Sequence, residues 1–93
     1  FLDICYQLET LELIMELNET LGITVVMVLH DLNQAARYSD NMLVINKGEL
    51  CEYGKPCKIV NKQLLKNIFK IEADIYEDKI NNCPYFIPKK VTA

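Results

Sequence analysis

The chain has 93 residues, 51% of them apolar and 25% charged, with 10 basic and 13 acidic side chains and a net charge of -3. That is the length of one domain or part of one, with the composition of an ordinary soluble globular protein. The acidic balance and the scatter of Lys and Arg, broken only by the pair Lys89-Lys90, argue against a nucleic-acid partner held by a broad basic field. The four cysteines, Cys5, Cys51, Cys57 and Cys83, form no C-x-x-C pair, and the single histidine cannot complete a zinc pattern. Reduced thiols are the simpler reading, although the even count leaves two disulfides open. No apolar run approaches the ~20 residues of a membrane helix, and no signal peptide is visible. The start at Phe1 rather than Met reads as the interior of a longer chain.

In chain order, residues 4 to 21 read as an amphipathic helix. Ile4, Leu8, Leu11, Met15 and the neighbouring Leu13, Ile14 and Leu17 recur at helical spacing, with Glu9, Glu12, Glu16 and Glu19 elsewhere. Asp3 stands at the N-cap position and Gly22 at the C-terminal stop. Leu8, Leu11 and Met15 are expected in the core, and the glutamates on a solvated face rather than around a metal. Thr24 to Leu29 is an almost unbroken apolar, β-branched run, which predicts a strand buried on both faces, as in a parallel sheet. Helix, glycine and buried strand make the second half of a βαβ unit.

Asp31 can cap the next helix, with Gln34 three residues on as a capping-box partner. That helix runs through Leu32, Ala35, Ala36 and Tyr38 and stops near Ser39-Asp40. Two short strands follow, Asn41 to Asn46 and Glu49 to Tyr53, joined through Asn46-Lys47-Gly48, where Gly48 can take positive φ. Pro56 suits the first position of a short helix. Asn61 caps another, running through Leu64, Leu65, Ile68 and Phe69. The tail reads as two strands, Ile71 to Glu77 and Pro84 to Pro88, around a polar turn at 78–82. The pair Tyr85-Phe86 reads as edge-strand packing or as an exposed contact. A doubly apolar strand needs neighbours on both edges, and this sequence supplies too few. An exposed sheet edge and an exposed helix face are therefore expected, covered by preceding chain or by partner chains.

His30 is the one candidate for chemistry. It follows the apolar run and precedes a helix N-terminus, where an imidazole can donate a hydrogen bond to an anion and the helix end adds positive potential. Strand-end loops are where α/β folds place ligands. The alternative is a histidine satisfied by local backbone. Asp31 can orient His30 or serve only as a cap, and spacing favours the cap. Asp3 too can be only a cap. The sequence contains no G-x-x-x-x-G-K-[ST] loop, no nucleophile elbow and no metal-ligand cluster.

Val28-Leu29-His30-Asp31-Leu32, followed by Asn33-Gln34-Ala35-Ala36-Arg37-Tyr38-Ser39-Asp40, resembles the switch-histidine region of ABC transporter ATPases. Phe1-Leu2-Asp3-Ile4 resembles the end of their D-loop. Gln7-Leu8-Glu9 and Leu32-Asn33-Gln34-Ala35-Ala36-Arg37-Tyr38 resemble the branch that imports iron-siderophore complexes, haem or cobalamin. Asn46-Lys47-Gly48, Gly54-x-Pro56, Ile71-Glu72-Ala73 and Ile87-Pro88 resemble the segments that follow, so the likeness covers essentially the whole chain.

The resemblance implies the C-terminal part of a P-loop NTPase (RecA-like) nucleotide-binding domain over residues 1–93. That part holds a parallel strand, helices and a C-terminal hairpin region. His30 would contact the γ-phosphate of ATP, and Asp3 would reach across a head-to-tail dimer. The cofactors implied are ATP and Mg²⁺. The partners implied are a second ATPase subunit, membrane permease subunits and, indirectly, a substrate-binding protein, with a peripheral position on the cytoplasmic face of the membrane. The Walker A, glutamine-loop, signature and Walker B motifs are not in this sequence, so the chain alone is expected to be inactive. Lys55 stands where relatives carry a better cap. A non-catalytic dimerisation module of the same fold, or an ATPase of another ABC branch, remain the alternatives.

Overall fold

The computed structural model describes residues 3–92. It is a mixed α/β arrangement in the order α1 (Ile4–Leu21), α2 (Leu32–Tyr38), β1 (Met42–Asn46), β2 (Glu49–Gly54), α3 (Pro56–Ile59), α4 (Lys62–Asn67), β3 (Ile71–Asp78) and β4 (Cys83–Val91). The D-loop-like residues Phe1 and Leu2 lie outside the described residues.

The termini of α1 follow local chemistry. The Tyr6 N–H donates to the Asp3 carboxylate at 2.8 Å. Gly22, at φ 65°, turns the chain out of the helix and donates its N–H to the Asn18 carbonyl at 2.9 Å. Packing departs from the sequence expectation. Leu11 is the only buried residue of α1, Leu8, Ile14 and Met15 are half-buried, and Ile4, Leu13 and Leu17 are exposed. The helix carries apolar side chains on more faces than this chain can cover. The radius of gyration, 14.0 Å, accordingly exceeds the ~12 Å of a compact domain of this length.

The expected parallel strand is not formed. From Gly22 the chain runs without a turn or bend to a bend at His30, and residues 22–29 pair with no strand among the described residues. The two sheets are both two-stranded antiparallel hairpins, β1-β2 and β3-β4. Val26 and Val28, expected to be buried, are each 85% exposed. The reason is connectivity. Consecutive strands joined by tight turns satisfy each other's backbone groups locally, whereas a parallel strand needs a crossover partner. Replacing Val26 by Lys should therefore change the stability of this chain by no more than ~0.5 kcal/mol, read as an unchanged urea midpoint. A strand buried on both faces would not tolerate that charge.

In the first hairpin, Lys47 and Gly48 both take positive φ, 52° and 77°, the signature of the tight turns that match strand twist. Met42 and Val44 face inward while Leu43 and Ile45 face out. A bulge lies between Val44 and Ile45. Pro56 opens the one-turn helix α3, and Lys55 provides no side-chain cap, as expected. Asn61 caps α4 by accepting from the Leu64 N–H at 2.8 Å. α4 ends at Asn67, with Ile68 as its C-cap and Phe69 outside it, short of the predicted end.

β4 extends past the predicted strand at both ends, because its pairing with β3 continues from Cys83 to Val91. Asp78 organises the turn between them, accepting from the Ile80 and Asn81 N–H groups at 3.0 and 3.1 Å and from the Asn81 side chain at 2.7 Å. Tyr76 and Tyr85 stack across the two strands with ring centroids 5.6 Å apart. Tyr85 and Phe86 thus belong to strand packing. The core lies where α2, the first hairpin, α3 and α4 meet. Ala36, Met42, Val44, Ile59, Val60 and Leu64 are buried together there, and Ile75 and Phe86 pack against them from the second hairpin.

Candidate functional site

His30 sits at the bend that ends the unpaired segment and precedes α2. Its side chain is exposed and has no hydrogen-bond or ion-pair partner among the described residues. The alternative of a histidine satisfied by local backbone does not hold in this structure.

Asp31 is a cap. Its Oδ1 accepts from the Asn33 N–H at 3.0 Å and from the Gln34 N–H at 3.2 Å. This also revises the electrostatic expectation for His30. The carboxylate occupies two of the free N–H groups at the start of α2 and opposes the positive potential of a helix only seven residues long. What remains for an anion is the imidazole itself. Gln34 does not complete the capping box. Its Nε2 instead donates to the Gln7 Oε1 at 3.2 Å and ties α2 to α1. Asp3, at the start of α1, is exposed and acts as a cap.

A contact that no spacing rule predicts holds α2 from the other side. The Asn33 Nδ2 donates to the Phe86 carbonyl at 3.1 Å, and the Phe86 N–H donates to the Asn33 Oδ1 at 2.9 Å. One side-chain amide thus pairs with one residue of β4 from 53 positions away.

A cavity of about 400 Å³ between α1, α2 and β4 is lined by Leu8, Arg37, Tyr38 and Cys83 among others, but not by His30. The Tyr38 hydroxyl is buried without a partner. The Arg37 guanidinium lies 4.9 Å from the centre of the Tyr38 ring. Burial pushes the Cys83 thiol up, while hydrogen bonds from Asn81 hold the Asp78 carboxyl below its ordinary value. All four cysteines are free. Among the described residues no group of three or more His, Cys, Asp or Glu could hold a metal ion. The described residues therefore do not fit Mg²⁺. No helix among the described residues is long and apolar enough to cross a membrane.

No protein-family model matches the chain. Individual relatives do match. The petrobactin import ATP-binding protein FpuC of Bacillus anthracis is 46% identical over 92 residues, covering 99% of this chain and 33% of that protein. The ferric enterobactin transport ATP-binding protein FepC of Escherichia coli (strain K12) is 38% identical over 93 residues, covering all of this chain and 34% of that protein. The hemin import ATP-binding protein HmuV of Shewanella denitrificans is 38% identical over 86 residues, covering 92% of this chain and 34% of that protein. The homologues are thus ATP-binding proteins of siderophore and hemin import, and the chain spans about a third of their length. In three dimensions, 95% of the chain superposes with a TM-score of 0.77 on 36% of a metal-chelate type ABC transporter chain solved in an inward-facing conformation. At 24% identity this likeness concerns the fold.

Proposed function

We propose that this chain is the C-terminal portion of the ATP-binding subunit of an ABC importer for iron-siderophore or related chelates, with His30 as its contribution to the nucleotide site. The observation that carries this reading is the 46% identity with a petrobactin import ATP-binding protein over 99% of the chain. In the whole subunit, the unpaired run before His30 would be a parallel strand of a RecA-like sheet, covered on both faces. That accounts for Val26 and Val28 each being 85% exposed.

ATP, when bound, supplies the γ-phosphoryl group that passes to water. Phosphoryl transfer depends on positioning and on stabilising charge. His30 contributes by donating a hydrogen bond to a phosphate oxygen from a bend whose following helix is fixed at its start by Asp31. Asp3, exposed ahead of α1, is the residue for contact across a subunit dimer. The Mg²⁺ ligands belong to other segments. The partners of this reading are a second ATP-binding subunit, permease subunits in the membrane and, through them, a substrate-binding protein. It places the assembly at the cytoplasmic face of the membrane and involves no nucleic acid.

The test compares two proteins. The purified 93-residue chain should show no metal-dependent ATP turnover. A fusion of this chain to the first two-thirds of the petrobactin import relative should bind ATP and hydrolyse it. Turnover by the chain alone, or a folded fusion that binds no ATP, would overturn the reading.

A further inference from the structure

Among the described residues, the two side-chain hydrogen bonds that join the helix behind His30 to the second hairpin are both made by the Asn33–Phe86 pair. Both the N–H and the C=O of Phe86 go to the Asn33 amide. They therefore point away from β3, where Phe86 stands opposite Ile75. In an antiparallel ladder the residues between hydrogen-bonded pairs turn both backbone groups outward. The Asn33 amide fills that outward position as the backbone of a neighbouring strand would, satisfying donor and acceptor together. Both groups are partly buried, so neither is freely replaced by water.

Asn33 is also bound at its backbone, where its N–H donates to Asp31. A single residue thus connects three things: the cap directly after His30, the first turn of α2 and the open edge of β4. The bend at His30 has no other tie to the hairpin among the described hydrogen bonds. We propose that Asn33 is a positioning residue, clamping α2 to β4 so that the bend holding His30 is fixed relative to the C-terminal hairpin. The clamp itself stands on geometry alone. Its consequence for catalysis rests on the function proposed above.

The test begins on the 93-residue chain by nuclear magnetic resonance, where the sole histidine gives an unambiguous ring signal. Asn33→Ala should raise amide exchange at Phe86 by about tenfold or more, as expected when a local hydrogen bond opens freely. It should also move the backbone and ring signals of His30. Asn33→Asp keeps the size and one acceptor but loses the donor to the Phe86 carbonyl, and should do the same. Asn61→Ala, which removes the side-chain cap of α4, should leave both sites unchanged. Loss of Phe86 protection with His30 unmoved would overturn the positioning role, and so would an equal response to Asn61→Ala.

In the fusion protein, Asn33→Ala should lower kcat by about 10- to 100-fold with little change in KM for ATP. Parallel loss in both parameters, or an unchanged kcat, would overturn the role in turnover. A fusion whose turnover ignores His30 would overturn the functional reading instead, while the measurements on the chain still decide the clamp.

Discussion

Replacing His30 by alanine in the fusion protein should lower ATP turnover by about 10²- to 10³-fold, the loss seen when one preorganised donor is removed from a developing anion. Nucleotide affinity should remain largely intact, because the proposed function assigns the grip on the phosphates to the other part of the fusion. The prediction follows from three features. His30 is exposed, it lies at a bend rather than within an element, and it has no partner among the described residues. An imidazole already engaged by the protein would have to give up a contact to serve a phosphate, and this one does not. His30→Gln retains an N–H donor of different reach and should keep part of the activity. Steady-state turnover and fluorescent-nucleotide titration on the same preparations separate the two effects. Unchanged turnover in the alanine variant would remove His30 from the mechanism.

The second large effect concerns stability. Ile59→Ala should destabilise the 93-residue chain by ~2–5 kcal/mol, a large share of the ~5–15 kcal/mol typical of a whole domain. Ile59 is 1% exposed and packs with Ala36, Met42, Val44, Val60 and Leu64. It lies in a four-residue helix with no side-chain cap at its start. A single turn cannot hold itself by its own hydrogen bonds. Burial of Ile59 and Val60 is what keeps α3 in place between the first hairpin and α4. The urea midpoint, followed by circular dichroism, should fall well below that of the unsubstituted chain. A midpoint within the range of the Val26→Lys variant would show that the core does not lie where the structure places it.

Much of the local architecture was legible without the fold. The bounds of α1 followed from Asp3 and Gly22, the α2 cap from Asp31, the first hairpin turn from Lys47-Gly48 and the α4 cap from Asn61. Each signal is local: a side-chain oxygen meets an N–H two or three residues on, or a glycine takes a positive φ. Where the reading failed, the missing term was a partner. Thr24 to Leu29 has the composition of a central strand, but a strand is a relation between two segments. Leu8 and Met15 were expected in the core and are only half-buried, because an apolar face is buried only where something covers it.

The candidate site divides in the same way. The sequence by itself determined that His30 is the only histidine, that it separates an apolar run from a capped helix and that no phosphate loop or metal cluster accompanies it. The tertiary structure decided that His30 is free of local partners, that Gln34 bonds Gln7 rather than the helix start, and that Asn33 pairs with Phe86. Caps are written in neighbouring residues because the backbone groups they satisfy lie within one turn. A contact spanning 53 residues is set by where two packed elements come to rest, and no pattern along the chain records that.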